Sequence, residues 1–269
     1  MAAHPEVDES LRHIRTLTRQ LREELASLPP EAWDAPSNCP PWPVRRLVAH
    51  IVNNAEFVHQ NVERGVAGLT EPGITPEERA RRVQALAEAA PAEVIATLDR
   101  ATAELEALFE RLSAADLEAI CYHPAGNRPA RWYVQQRLAE LAFHRWDLLR
   151  SLGRAAELDP AVAAFLLPML LESNLPRTYR RGPRGEGRFR LVVEGAPEQS
   201  WLLTATPEEL QVRRGAGDGA DVTITAPAPV LALLIYGRAQ LAEEERQGRA
   251  RVEGDRALAE RFHTIFPGP

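Results

Sequence analysis

The spacing of apolar residues changes character once along this chain, and that change calls for two different architectures. Leu11, Ile14, Leu17, Leu21, Leu25 and Leu28 recur at three- and four-residue intervals, one apolar stripe on a helix that must stop at Pro29-Pro30. Val94, Leu98, Ala101, Leu105, Leu108 and Leu112 repeat the pattern in a second long helix. Pro43, whose missing N–H would be unpaired in a first turn, suits the start of a helix predicted from Val44 to Arg64. A fourth is predicted from Ala130 to Leu152, stopping at Gly153. Joined by loops, the four predict a bundle over residues 1–153 with an interior that can host a site.

Beyond that point the pattern shortens. RFRLVVEG (188–195), SWLLTAT (200–206), LQVRRG (210–215) and ADVTITA (220–226) are β-branched or alternating runs between turn residues, and predict an antiparallel sheet. Helical segments are expected at 160–179, 227–247 and 255–265, so residues 154–269 read as an α+β domain. RRGPRGEG (180–187) reads as a flexible connection.

Composition removes several classes of function. A net charge of −6 gives no basic field for a phosphate backbone, so nucleic acid is not an expected partner. All 32 basic residues are arginine. The absence of lysine excludes Schiff-base chemistry and a Walker-type phosphate loop, and leaves arginine to hold any substrate carboxylate. Two cysteines, Cys39 and Cys121, are too few for a secreted disulfide scaffold and read as reduced thiols. The first ten residues are acidic, and the longest apolar run, Ala161 to Leu171, is interrupted by Pro168. The expectation is a cytoplasmic protein off the membrane, a monomer or small homo-oligomer.

Glu140 and His144 lie four residues apart, on one helix face, with Asp147 a turn further on. His50 shares a stripe with Leu47, Ile51 and Asn54 on a helix expected to face the bundle interior, where an imidazole needs a partner. Two imidazoles and one carboxylate leave a coordination position open, as catalytic zinc sites do. The same set also serves non-haem iron. The plainer alternatives are an ordinary partly buried histidine at 50 and a chance helical pair, for Glu9 and His13 repeat the spacing without a third partner. His59, about two and a half turns from His50, points away from it. Asp147 either orients a ligand histidine or pairs with Arg145 or Arg150, while Trp42, Trp132 and Trp146 read as packing residues around the site.

The runs PSNCPPWPVRRLVAHI (36–51) and ELAFHRWD (140–147) resemble the two metal motifs of the mycothiol-dependent maleylpyruvate isomerase family. ADVTITAPAPVLALLIYGRAQ followed by GRARVEGD resembles its C-terminal domain more loosely, so the resemblance spans about residues 8 to 265. It implies a DinB-like four-helix metal domain joined to a sterol-carrier-like α+β domain. It further implies His50, Glu140 and His144 as ligands of a divalent metal, zinc by expectation, and Arg238 as an active-site arginine. The cofactor implied is mycothiol or another low-molecular-weight thiol, used on a small anionic electrophile by an isomerase or S-transferase. Because such a cofactor brings its own thiol, Cys39, in a loop before two prolines, reads as structural and not as the nucleophile. A non-enzymatic module that holds a metal and a small ligand is the competing reading.

Overall fold

The computed structural model describes residues 4–179, 181–182, 186–215 and 219–268. Of the connection expected at 180–187, residues 180 and 183–185 lie outside the described residues. The chain forms two compact units, Met1–Glu157 and Leu158–Pro269.

In the first unit α1 (Pro5–Ala26), α2 (Val44–Val66), α4 (Pro91–Arg111) and α6 (Ala130–Ser151) are the long helices, with α3 (Pro76–Glu88) and the short α5 (Ala114–Glu118) between them. The α1 stripe is buried as its spacing requires: Leu11, Ile14, Leu17, Leu21 and Leu25 are each 6% exposed or less. Pro43 stands just outside α2 with an extended backbone, and its carbonyl accepts the N–H groups of Arg46 and Leu47. Helix α2 packs on α3, α4 and α6, and α1 packs on α4 and α6. The buried positions of α2 and α6 spread round much of each helix, as expected for helices wrapped by several neighbours.

Helix α3 was not legible from periodicity because it buries only Val83 and Ala87. Its signal is a cap: Thr75 accepts the Glu78 N–H, and Pro76 opens the first turn. Helix α5 is likewise marked by a capping box between Ser113 and Asp116. A two-residue hairpin of β1 (Ile120–Cys121) and β2 (Arg128–Pro129) leads into α6.

The second unit is α+β. Helix α7 (Pro160–Met169) runs through Pro168 and then widens into a π turn at Leu170–Asn174 before α8 (Leu175–Thr178). Pro176, in the first turn of α8, has no N–H to give the carbonyl of Glu172 inside that π turn, which is where the helical ladder is disturbed. Strands β3 (Gly187–Val193), β4 (Ala196–Ala205), β5 (Leu210–Arg214), β6 (Val222–Ala226) and β7 (Arg251–Gly254) form one sheet in the order β5-β4-β3-β6-β7. Three of its pairings are antiparallel, but β3 and β6 run parallel. Strands β4 and β5 fill one side of β3, and β6 adds on the other side after a crossover.

The helix expected over 227–247 is broken into α9 (Ala228–Ile235) and α10 (Leu241–Arg246). Gly237 between them adopts φ +66°, a left-handed conformation that ends a helix. Strand β7 escaped the sequence reading because Val252 is its one apolar residue. Helices α11 (Arg256–Glu260) and α12 (Phe262–Ile265) close the unit, and Phe262 and Phe266 pack edge-on or tilted about buried Phe189. Among the described residues no helix is long and apolar enough to cross a membrane.

Candidate metal centre

Helices α2 and α6 bring His50, Glu140 and His144 together. One carboxylate oxygen, Oε2 of Glu140, lies 3.2 Å from Nε2 of His50 and 3.4 Å from Nε2 of His144. The imidazole centroids are 4.9 Å apart with the rings nearly perpendicular. One ligand atom from each residue falls within 4.8 Å of the other two, close enough to share an ion. The side chains are 14–22% exposed, so the cluster sits in a partly open position.

The surrounding contacts fix the orientation of these groups. Asp147, fully buried, accepts on Oδ2 from Nδ1 of His144 at 3.1 Å and from the Cys39 thiol at 3.1 Å. Its Oδ1 accepts from Asn38 Nδ2 at 2.9 Å. A carboxylate on Nδ1 leaves the Nε2 lone pair of neutral His144 facing Glu140, as second partners of metal-bound histidines do. Gln136, one turn before Glu140, donates to the other glutamate oxygen at 2.9 Å. Trp42 lies against His50, with centroids 5.3 Å apart.

Burial pushes the Glu140 carboxyl upward, but hydrogen bonds from His144 and His50 outweigh it and hold the group well below the usual carboxylate range. Burial likewise opposes charge on His144, yet Asp147, Cys39 and Glu140 together hold it well above an ordinary histidine. In the metal-free cluster these neighbours favour the protonated form of His144 and the ionised form of Glu140. The geometry and donor chemistry fit a divalent cation, which would take the place of a proton.

The sign of the pH dependence follows. A proton raised in affinity on His144 competes with the metal, so binding should weaken as pH falls below the elevated pKa. We expect the affinity for zinc to fall by up to about tenfold per pH unit there, one proton being released per ion. Zinc titrations at several pH values in weakly chelating buffers, with proton release measured in parallel, check it. Affinity that is level with pH would contradict the arrangement.

The structure also groups Cys39, His144 and Asp147. In that group the thiol and Nδ1 both donate to one oxygen of Asp147, so their protons are already used internally. Asp147 has this orienting position, and Arg145 pairs with Glu24 instead. Glu9 and His13 are 3.9 Å apart on α1 and join no third ligand among the described residues. His263 accepts the Leu241 N–H, and His123 packs edge-on against Trp132. Trp146 donates to the Ala156 carbonyl. Arg238 follows the turn that ends α9, half-buried, donating from Nη1 to the Tyr236 carbonyl at 2.9 Å. Asn38 and Gln136 escaped the sequence reading. Gln136 carried a usable signal, its four-residue spacing from Glu140.

Comparison with known proteins agrees with this plan. Residues 14–149 match the family model described as the mycothiol maleylpyruvate isomerase N-terminal domain. Residues 180–267 match the SCP-2 sterol transfer family. A crystal structure of the mycothiol-dependent maleylpyruvate isomerase superposes with a TM-score of 0.64 at 17% identity, covering 87% of this chain and 90% of that one. A histidine-to-alanine mutant of that enzyme gives 0.65 at the same identity and coverage. Two uncharacterized proteins from strains of Mycobacterium tuberculosis are 27% identical over 139 residues, 52% of this chain. The match spans 65% of the length of those relatives.

Proposed function

Because the chain belongs to the mycothiol maleylpyruvate isomerase N-terminal domain family, we propose that it is a metal-dependent enzyme that uses a low-molecular-weight thiol, mycothiol or a similar one, as its nucleophile. The observation that carries the proposal is the convergence of the His50, Glu140 and His144 donor atoms within 4.8 Å. When bound together, the metal supplies the acidity that keeps the thiol as thiolate, for cis–trans isomerisation of an activated double bond or for a retained S-transfer. His50, Glu140 and His144 hold the ion, with zinc as the proposed metal and a position left for the thiol. Asp147 keeps the proton of neutral His144 on Nδ1, and Gln136 occupies the glutamate oxygen that the imidazoles leave. Arg238 is proposed to hold a carboxylate of a small anionic electrophile, in a cytoplasmic setting.

The competing reading, a non-enzymatic module for a metal and a small ligand, draws on the SCP-2 match. The second unit contains a cavity of about 740 Å³ whose described lining includes Arg188, Asp221, Asp255 and Arg261. Those charges suit a polar ligand better than the apolar wall a lipid carrier needs. Metal analysis of the purified protein combined with a thiol-dependent turnover screen decides between the readings. We expect about one divalent ion per chain and turnover that requires both ion and thiol. A metal-loaded protein inactive with every thiol would be a binding module.

A further inference from the structure

Arg79 projects from the second turn of α3 onto the same helix that carries His50. Its Nε donates to Oδ1 of buried Asn53 at 3.2 Å, and its guanidinium carbon lies 4.0 Å over the Phe57 ring. Asn53 and Phe57 follow His50 by three and seven residues, which places them on the same side of α2, the nearer about 4.5 Å further along the axis. Arg79 is thus clamped by one edge and one face beside the metal-ligating cluster.

Its surroundings lack the group a clamped cation ordinarily has. Neighbouring Arg82 pairs with Glu78, and Arg45 with Asp34. Arg79 is half-buried, yet among the described residues it makes no ion pair, and its two terminal nitrogens have no hydrogen-bond partner. Burial lowers its pKa, an effect that the negative charge of Glu140 opposes, so the guanidinium and the cluster share one electrostatic environment. The terminal nitrogens open to solvent, so the fork of a cation held by Asn53 and Phe57 is available to an anion in the two-point fashion that suits a carboxylate. In a chain of net charge −6, a local cation is also what brings an anion to a site that contains Glu140.

We propose that Arg79 is a carboxylate-binding residue of the first unit, gripping a carboxylate of the small electrophile with the free edge of its fork while Asn53 and Phe57 hold the guanidinium in place. The inference rests on the reading of the neighbouring cluster as the reaction centre, and it adds a specificity determinant for unsaturated carboxylates. Arg79 touches substrate in this scheme and has no part in holding the metal.

The test uses the full chain, zinc-loaded and metal-free, with maleate as the probe. Calorimetric titration should show maleate binding by the parent, at least tenfold weaker binding by Arg79→Gln, and partial recovery in Arg79→Lys, which restores the charge without the fork. Arg82→Gln, an exposed change on the same helix, should bind as the parent does. Zinc stoichiometry and melting temperature are measured on every variant. Loss of zinc from the parent would count against the metal centre alone, because maleate affinity is read separately on metal-free protein. Equal maleate affinity in the parent and Arg79→Gln would overturn the proposal, and so would a parent that binds no maleate in either form.

Discussion

Zinc binding at about one ion per chain is expected to vanish when His50, Glu140 and His144 are all replaced by alanine. The three residues supply the donor atoms that meet within 4.8 Å, and the described residues of the other group, Cys39 and Asp147, share His144 with them. Glu140→Ala alone should weaken binding most among the single changes, because its Oε2 faces both imidazoles and carries the charge that compensates the cation. Asp147→Asn should cost roughly ten- to a hundredfold in affinity through the loss of its grip on His144. Cys39→Ser should leave the stoichiometry unchanged, since the thiol serves Asp147 and not the ion. Folding is expected to survive the triple change, because the three side chains sit at a partly open position and the buried apolar residues of α2 and α6 are untouched. Metal content by mass spectrometry, with circular dichroism as the folding control, is the measurement. A triple variant that keeps the parent stoichiometry would show the ligands to be elsewhere.

Arg238→Ala is expected to lower thiol-dependent turnover of a carboxylate electrophile by roughly a hundredfold or more while zinc content stays at the parent level. The magnitude is that of a single donor lost from a developing anion, about 3 to 4 kcal/mol. Arg238→Lys should recover little, because an ammonium cannot reproduce the planar two-point grip. Structural damage is a limited concern: the guanidinium bonds to the carbonyl of Tyr236, two residues away, while the turn itself is formed by backbone bonds from Arg238 and Ala239 to Leu233. Turnover is compared at saturating and at low substrate, so that a change in substrate binding is separated from one in the chemical step. Unchanged activity in Arg238→Ala would remove the residue from the reaction. A fall matched by lost zinc would instead point to a folding effect.

The bundle helices were legible because burial on one side of a helix imposes a period, and α1 and α4 display it with little interruption. α3 was hidden because a helix that buries two residues leaves almost no period, and its Thr75 cap was the surviving mark. In the second unit the strands announced themselves by β-branched alternation, whereas the parallel direction of β6 against β3 left no trace in either strand. Side-chain alternation is the same for both directions of pairing. The break at Gly237 rests on one residue with φ +66°, between two stretches that each suit a helix.

By itself the sequence determined what local geometry controls: four long helices, a sheet after them, and the four-residue spacing that sets Glu140 and His144 on one face. Tertiary structure decided everything that depends on contacts across the chain. His50 reaches Glu140 over 90 residues only because α2 packs on α6, and Asn38 reaches Asp147 over 109 because the loop before α2 folds back against that helix. Arg79 came beside the cluster in the same way, through a short helix with almost no apolar signal docked on α2. The physical reason is common to all three. Backbone periodicity is fixed within a few residues, whereas the choice of which helix faces meet is made by the burial of the whole unit at once.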